Sequence, residues 1–134
     1  MGADNYVASK DEKSMADAAG SLDLILNTVS ANHQASMYFP LLARKGKEIM
    51  IGAALGPHEV SAFDLLMKSV GLAGSMIGTL ADTQEVIDFC AKNNIQPNVE
   101  LITADKLDEV YKELLEGNDR VIRYVIDMDK SLAQ

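Results

Sequence analysis

The chain has one cysteine, Cys90, only two histidines, and fewer basic than acidic side chains. A single cysteine excludes an intramolecular disulfide, which fits a reducing, cytoplasmic setting. Cys90 lies in a helical pattern and is expected to be a buried small apolar residue rather than a reactive thiol. The 12 Lys and Arg against 20 Asp and Glu leave a formal net charge of −8. Such a surface repels phosphate backbones and anionic lipid, so neither nucleic acid nor membrane is an expected partner. The excess acid reads as a solubility feature. No apolar run approaches the roughly 20 residues that span a bilayer. The N-terminal MGADNYVASKDEK has no basic-then-apolar leader architecture, and Tyr6 stands where a myristoylation signal takes Ser or Thr.

Catalytic signatures are equally scarce. No GxGxxG and no P-loop opens a helix, so no phosphate cradle can be argued from a motif. No cysteine or histidine cluster has metal-ligand spacing. His33, at a helix start, reads as a surface or capping residue, and His58, after Gly56-Pro57, as a solvated loop residue. Ser30 has no nucleophile elbow around it. The carboxylates fall mostly on helix faces, where they are solvated. The residues alone give a soluble α/β domain without a self-contained active site.

What is present is an alternation of elements. The 134 residues suffice for one core, and 48% apolar with 24% charged residues is ordinary for a globular chain. A short strand is expected over Asn5–Ser9 and a helix over Lys13–Ala19, stopped by Gly20. Leu22–Thr28 reads as a continuous apolar strand, of the kind buried on both faces in a parallel sheet. Asn32 is placed to cap a helix running to about Arg44 and ended by Gly46. A strand over Lys47–Ala53 follows, then a helix from Ser61 to about Ser69, and a glycine-flanked strand over Gly71–Ile77. Asp82 is placed to cap a helix through Asn93, with Glu85 at its third position and a core stripe of Val86, Ile87, Phe89 and Cys90. Beyond Pro97 come a strand over Val99–Ile102 and an amphipathic helix over Asp105–Glu116 facing inward through Leu107, Val110, Leu114 and Leu115. A turn at Gly117-Asn118, a strand over Val121–Met128 and a frayed tail complete the pattern. The fold class is α/β: a partial Rossmann-like parallel sheet with helices on both faces, plus a small C-terminal β-α-β segment.

An ordered series of segments goes further: GADNYVAS, LDLILNTVSANH, GKEIMIG from Gly46, GSMIG from Gly74, TQEVIDFCAKNNI from Thr83, VELI from Val99 and RYVID from Arg123. Together they resemble the zinc-dependent alcohol dehydrogenases of the cinnamyl alcohol dehydrogenase type. In that family a metal-binding catalytic domain precedes a Rossmann domain for NADP, and the chain then returns to the catalytic domain. The resemblance implies that residues 1–96 are the second half of the Rossmann domain and 97–134 the return segment. It also implies that the zinc ligands, the structural zinc site, the glycine-rich loop and most contacts to the NADP 2′-phosphate belong to a part this sequence does not contain.

The cofactor positions that carry over are Thr28 and Val29 at one strand end, Gly52 at the next, and Ser75, Met76 and Ile77 at the third. Asn27 stands where the family usually has Asp, and Met76 where it has an aromatic. Ala53, Phe63, Leu66 and Met67 match substrate-pocket positions, with core packing the competing reading for the last three. No catalytic and no metal-binding residue carries over. The resemblance assigns to this sequence strands 3 to 6 of the Rossmann order, without strands 1 and 2, so LDLILNT is expected to show a bare apolar edge. Three outcomes are open: Asn5–Ser9 moves beside LDLILNT, the chain self-associates or pairs with a dehydrogenase subunit through strand 71–77, or the sequence is unstable alone. The functional expectations are a part of an NADP(H)-dependent zinc alcohol dehydrogenase that does not catalyse alone, a non-catalytic module that pairs with a full-length subunit or another partner, or a weak stand-alone dinucleotide binder.

Overall fold

The structure is a computed structural model, and it describes residues 3–117 and 123–132. Asp11 starts α1 (Glu12–Asp17) by accepting the Lys13 N–H, and Gly20 turns the chain after it at φ +69°, a left-handed conformation natural to glycine. There follow β1 (Leu22–Asn27), a 3-10 helix (Ala35–Leu41), β2 (Leu42–Met50), α2 (Ala62–Leu66) and β3 (Gly71–Gly74). The remainder is α3 (Leu80–Lys92), β4 (Glu100–Ile102), a 3-10 turn (Ala104–Lys106), α4 (Leu107–Glu116), β5 (Tyr124–Ile126) and α5 (Met128–Leu132). One sheet has the order β1-β2-β3, all parallel; a second pairs β4 with β5, also parallel, across a crossover that contains α4. The α/β class and the small β-α-β segment are as expected. Contacts divide the chain into two compact units, Met1–Ile77 and Gly78–Gln134.

In the first unit the core is Phe39, Leu42 and Val70, with Ile25, Val60, Leu65 and Leu72 packed against it. It is a small core for its sheet. Leu24 and Leu26 are 52% and 58% exposed, so β1 is not buried on both faces as its composition suggests. The reason is positional: β1 is an edge strand, and a parallel strand is buried only where neighbours and helices cover it. The Asn5–Ser9 segment does not supply that neighbour, and it forms no strand.

Several local expectations are corrected. The segment after Asn32 is a short 3-10 helix rather than an α-helix to Arg44. Pro40 lies inside it, and proline removes an amide donor and collides with an α-helical turn. Asn32 serves a loop instead, accepting the Gly56 N–H at 3.1 Å. Gly46 is buried within β2, beside a bulge where the pairing jumps from Leu22–Leu42 to Leu24–Lys47 and Lys45 takes φ 68°. Helix α2 ends at Leu66 and β3 at Gly74, both earlier than expected.

In the second unit the cap of α3 is Thr79, not Asp82. Thr79 Oγ1 accepts the Asp82 N–H, and the Asp82 carboxylate accepts the Thr79 N–H at 2.7 Å. Asp82 is therefore the third helical residue of a capping box, the role expected of Glu85. The α3 stripe Val86, Ile87 and Phe89 is exposed and Cys90 only half-buried. On α4 Val110 is buried, while Leu114 and Leu115 are exposed. The expected frayed tail holds α5 through Leu132. Asn118 of the expected turn, Val121 and Ile122 of the expected strand, and the chain ends Met1-Gly2 and Ala133-Gln134 lie outside the described residues.

Candidate functional site

Because β1, β2 and β3 are parallel, their C-terminal ends lie along one edge of the sheet. The register aligns Asn27 with Met50 and Met50 with Gly74. Thr28–Val29, Gly52–Ala53 and Ser75–Ile77 therefore leave the sheet side by side, as the ends of adjacent strands must. Backbone bonds extend the ladder past the strands: Ile51 and Gly52 N–H both donate to Asn27 O at 2.8 and 2.9 Å, and Ser75 N–H donates to Met50 O at 3.0 Å. Thr28, Val29, Ala53, Ser75, Met76 and Ile77 are exposed, and Gly52 is half-buried.

Gly52 is required by its own chain. A Cβ there would stand 2.4 Å from Val29 O and 2.6 Å from Thr28 C. The close approach that makes glycine necessary is thus to the Thr28–Val29 backbone. It holds two of the three strand ends together.

The pocket candidates are less tightly gathered. Phe63, Leu66 and Met67 are all exposed, so core packing does not explain them in this structure. Phe63 and Met67 share an open groove of about 300 Å³ with Phe39, Pro40 and Lys68. Ala53 and Leu66 are not among the residues lining that groove.

A cluster that sequence reasoning missed lies under the same strand ends. Glu48, near the C-terminal end of β2, is 0% exposed, and Asn27 is 4% exposed. Asn27 Nδ2 donates to Glu48 Oε1 at 2.7 Å and lies 2.8 Å from His33 Nε2, while Asn27 Oδ1 accepts the Val29 N–H at 3.2 Å. Glu48 Oε2 has no hydrogen-bond partner. Burial pushes the Glu48 carboxyl above its ordinary range, opposed by the Asn27 amide and by His33 and His58. His33 is half-buried, its Nδ1 2.8 Å from Ala31 O and its ring edge-on to His58 at 5.1 Å. His58 accepts the Ala35 N–H at 3.4 Å. His58, half-buried, is less solvated than expected of a loop residue. The available signal was Glu48 itself: a charged residue within GKEIMIG must find a partner if its strand is buried.

The second unit holds a cleft of about 420 Å³ between β4, β5 and α4, lined by Glu100, Lys106, Glu109, Tyr124, Asp127 and Lys130 among others. Both its lysines pair locally: Lys106 with Glu109 at 3.3 Å and Lys130 with Asp127 at 3.1 Å. None of the sequence-derived site residues lines it. Among the described residues no three His, Cys, Asp or Glu side chains group so as to hold a metal ion, so they do not fit a zinc site. Among them, no helix is long and apolar enough to cross a membrane.

Comparison with known proteins gives these strand ends a context. Residues 1–92 match the family described as zinc-binding dehydrogenase. A cinnamyl alcohol dehydrogenase of Rauvolfia serpentina is 46% identical over 132 residues, covering 98% of this chain and 36% of the relative. An NADP-dependent alcohol dehydrogenase of Mycolicibacterium smegmatis is 44% identical over 127 residues, 95% of this chain and 36% of the relative. Among solved structures, a cinnamyl alcohol dehydrogenase of Sorghum bicolor superimposes with a TM-score of 0.85 at 31% identity, covering 94% of this chain and 35% of that one. The Helicobacter pylori enzyme complexed with NADP(H) does so with a TM-score of 0.69 at 33% identity, over 82% of this chain and 32% of that one. The chain therefore spans about a third of the length of the relatives it matches.

Proposed function

This chain belongs to the zinc-binding dehydrogenase family, among its alcohol dehydrogenases of the cinnamyl alcohol dehydrogenase type, and from that premise we propose that it forms the nicotinamide-side wall of an NADP(H)-dependent aldehyde and alcohol oxidoreductase. In this reading residues 1–96 are part of the dinucleotide-binding domain and 97–134 the return to the catalytic domain. When bound, NADPH would supply the hydride that reduces a carbonyl carbon. The residues of this chain border the nicotinamide end through Thr28, Val29, Gly52 and the Ser75–Ile77 backbone. Ala53, Phe63, Leu66 and Met67 belong to the substrate side. The observation that carries the reading is the alignment of three parallel strand ends along one sheet edge, where α/β folds bind ligands.

The chain is not expected to catalyse alone. Its described residues do not fit a zinc site, and its sequence has no glycine-rich pyrophosphate loop. The test is reduction of an aromatic aldehyde by the purified chain with NADPH and zinc. No turnover is expected, and turnover at a dehydrogenase-like rate would sink the proposal.

A second reading, a non-catalytic module that associates with a second copy or with a full-length dehydrogenase subunit through residues 71–77, is favoured by one observation. β3 is an edge strand, and Met76 and Ile77 beyond it are 87% and 88% exposed. Co-purification with such a subunit, lost on Ile77→Glu, is the outcome that supports it.

A further inference from the structure

The Asn27 side chain has three neighbours that together fix which of its atoms points where. The Val29 N–H can only donate, so the Asn27 atom facing it at 3.2 Å is Oδ1. Nδ2 then faces Glu48 Oε1 and His33 Nε2. An amide NH₂ can only donate, so His33 Nε2 carries no proton. At the other side of the ring Ala31 O can only accept, so Nδ1 carries one. Two independent neighbours thus specify one neutral tautomer.

We propose that Asn27, Glu48 and His33 are positioning residues that set the strand-end turn Thr28–His33, and that protons release the turn by flipping the Asn27 amide. A proton added to His33 Nε2 puts an N–H against the Asn27 NH₂, donor against donor. Turning the amide over relieves this, because Oδ1 then accepts from His33. It also brings Oδ1 against Glu48, which is tolerable only if the Glu48 carboxyl is protonated and donates to it. The flip therefore takes up two protons from solvent, one on Glu48 and one on His33. It costs the Val29 N–H its acceptor, since Nδ2 would now face it.

The groups facing this centre from the packed elements agree. Glu48 from β2 is wholly buried and has one oxygen without a partner, so its ionised form is held at a cost that burial imposes. His58, preceding α2, and Tyr38, from the 3-10 helix, face His33 with ring centroids at 5.1 and 6.2 Å. A charge on His58 would oppose a charge on His33. The turn released is the one that packs on Gly52. Its consequence for a bound nicotinamide rests on the function proposed above; the switch itself does not.

The test is nuclear magnetic resonance on the whole 134-residue chain, with histidine ring nitrogens and backbone amides labelled. At neutral pH the two-bond nitrogen–proton pattern of His33 should be that of the Nδ1-protonated neutral ring. On acidification the ring signals and the Val29 amide should move together. Val29 hydrogen exchange, corrected for its intrinsic pH dependence, should rise about tenfold, as for loss of one hydrogen bond. An Asn27→Asp variant has oxygen on both sides, so Val29 keeps an acceptor in either orientation and its amide should no longer follow the ring signals. An Nε2-protonated ring at neutral pH, or a Val29 amide indifferent to His33 protonation, overturns the proposal. Failure of NADPH to bind bears on the functional reading alone.

Discussion

Replacing Gly52 by alanine tests the geometry of the strand ends with a single methyl group. The new Cβ would lie 2.4 Å from Val29 O and 2.5 Å from Val29 C, where ordinary contacts begin at 3.4 Å. Both obstacles are backbone, so neither can rotate away. One strand end must retreat by about 1 Å, an overpacking strain worth about 1–3 kcal/mol. The retreat also stretches the bonds from Ile51 and Gly52 N–H to Asn27 O, now 2.8 and 2.9 Å. Those bonds are worth about 1 kcal/mol each. The expected loss is about 3 kcal/mol, a large share of the stability of an ordinary small domain. Urea unfolding followed by far-ultraviolet circular dichroism measures it, read from the midpoint at unchanged slope. A G52A midpoint within about 0.5 kcal/mol of the parent would refute the claim that backbone approach, rather than ligand access, makes this glycine necessary.

Three further outcomes are expected. Burial raises the folded-state value of Glu48 above its ordinary 4.5, so the stability linked to this group is fully present below that value and lost as pH rises. The unfolding free energy of the parent relative to Glu48→Gln should accordingly fall as pH rises above about 4.5; a difference independent of pH would show that Glu48 is not burdened by burial. Thr79→Ala removes the α3 cap and should cost about 1 kcal/mol of that helix, seen as lost helical signal on mild denaturation, and an unchanged transition would mean the capping box is ornamental. The bare β1 edge and the exposed Met76 and Ile77 should give concentration-dependent association in size-exclusion chromatography with light scattering, reduced by Ile77→Glu; a monomer at all concentrations with cooperative unfolding would contradict this.

Alternation of elements was readable because period and breakers agree: LDLILN, KEIM and GLAG lie within the three strands of the first sheet, and VELI and YVI mark the second. Reading burial from composition failed at β1 and α3, since Leu24, Leu26, Val86 and Phe89 need neighbours that a strand edge or helix face does not itself provide. The 3-10 helix was legible in principle from Pro40, but the capping residue Asn32 and the stop at Gly46 favoured a longer helix. Thr79 was missed because Asp82 and Glu85 offered an equally good capping spacing three residues on. The Asn27–Glu48–His33 cluster could not be assembled in advance, because it depends on β1–β2 register and on a turn that brings His33 back over its own strand. Resemblance to a known family named the strand-end residues, and the parallel register explains why positions so far apart in sequence adjoin.

Whether the three strand ends border a nicotinamide is decided by titrating the labelled chain with NADPH and following amide chemical shifts. Weak binding without saturation below the millimolar range is expected, about 4 kcal/mol or less, with shifts gathered at Thr28, Val29, Gly52 and Ser75–Ile77. Saturation at micromolar NADPH, or shifts gathered around the cleft of the second unit, would contradict it.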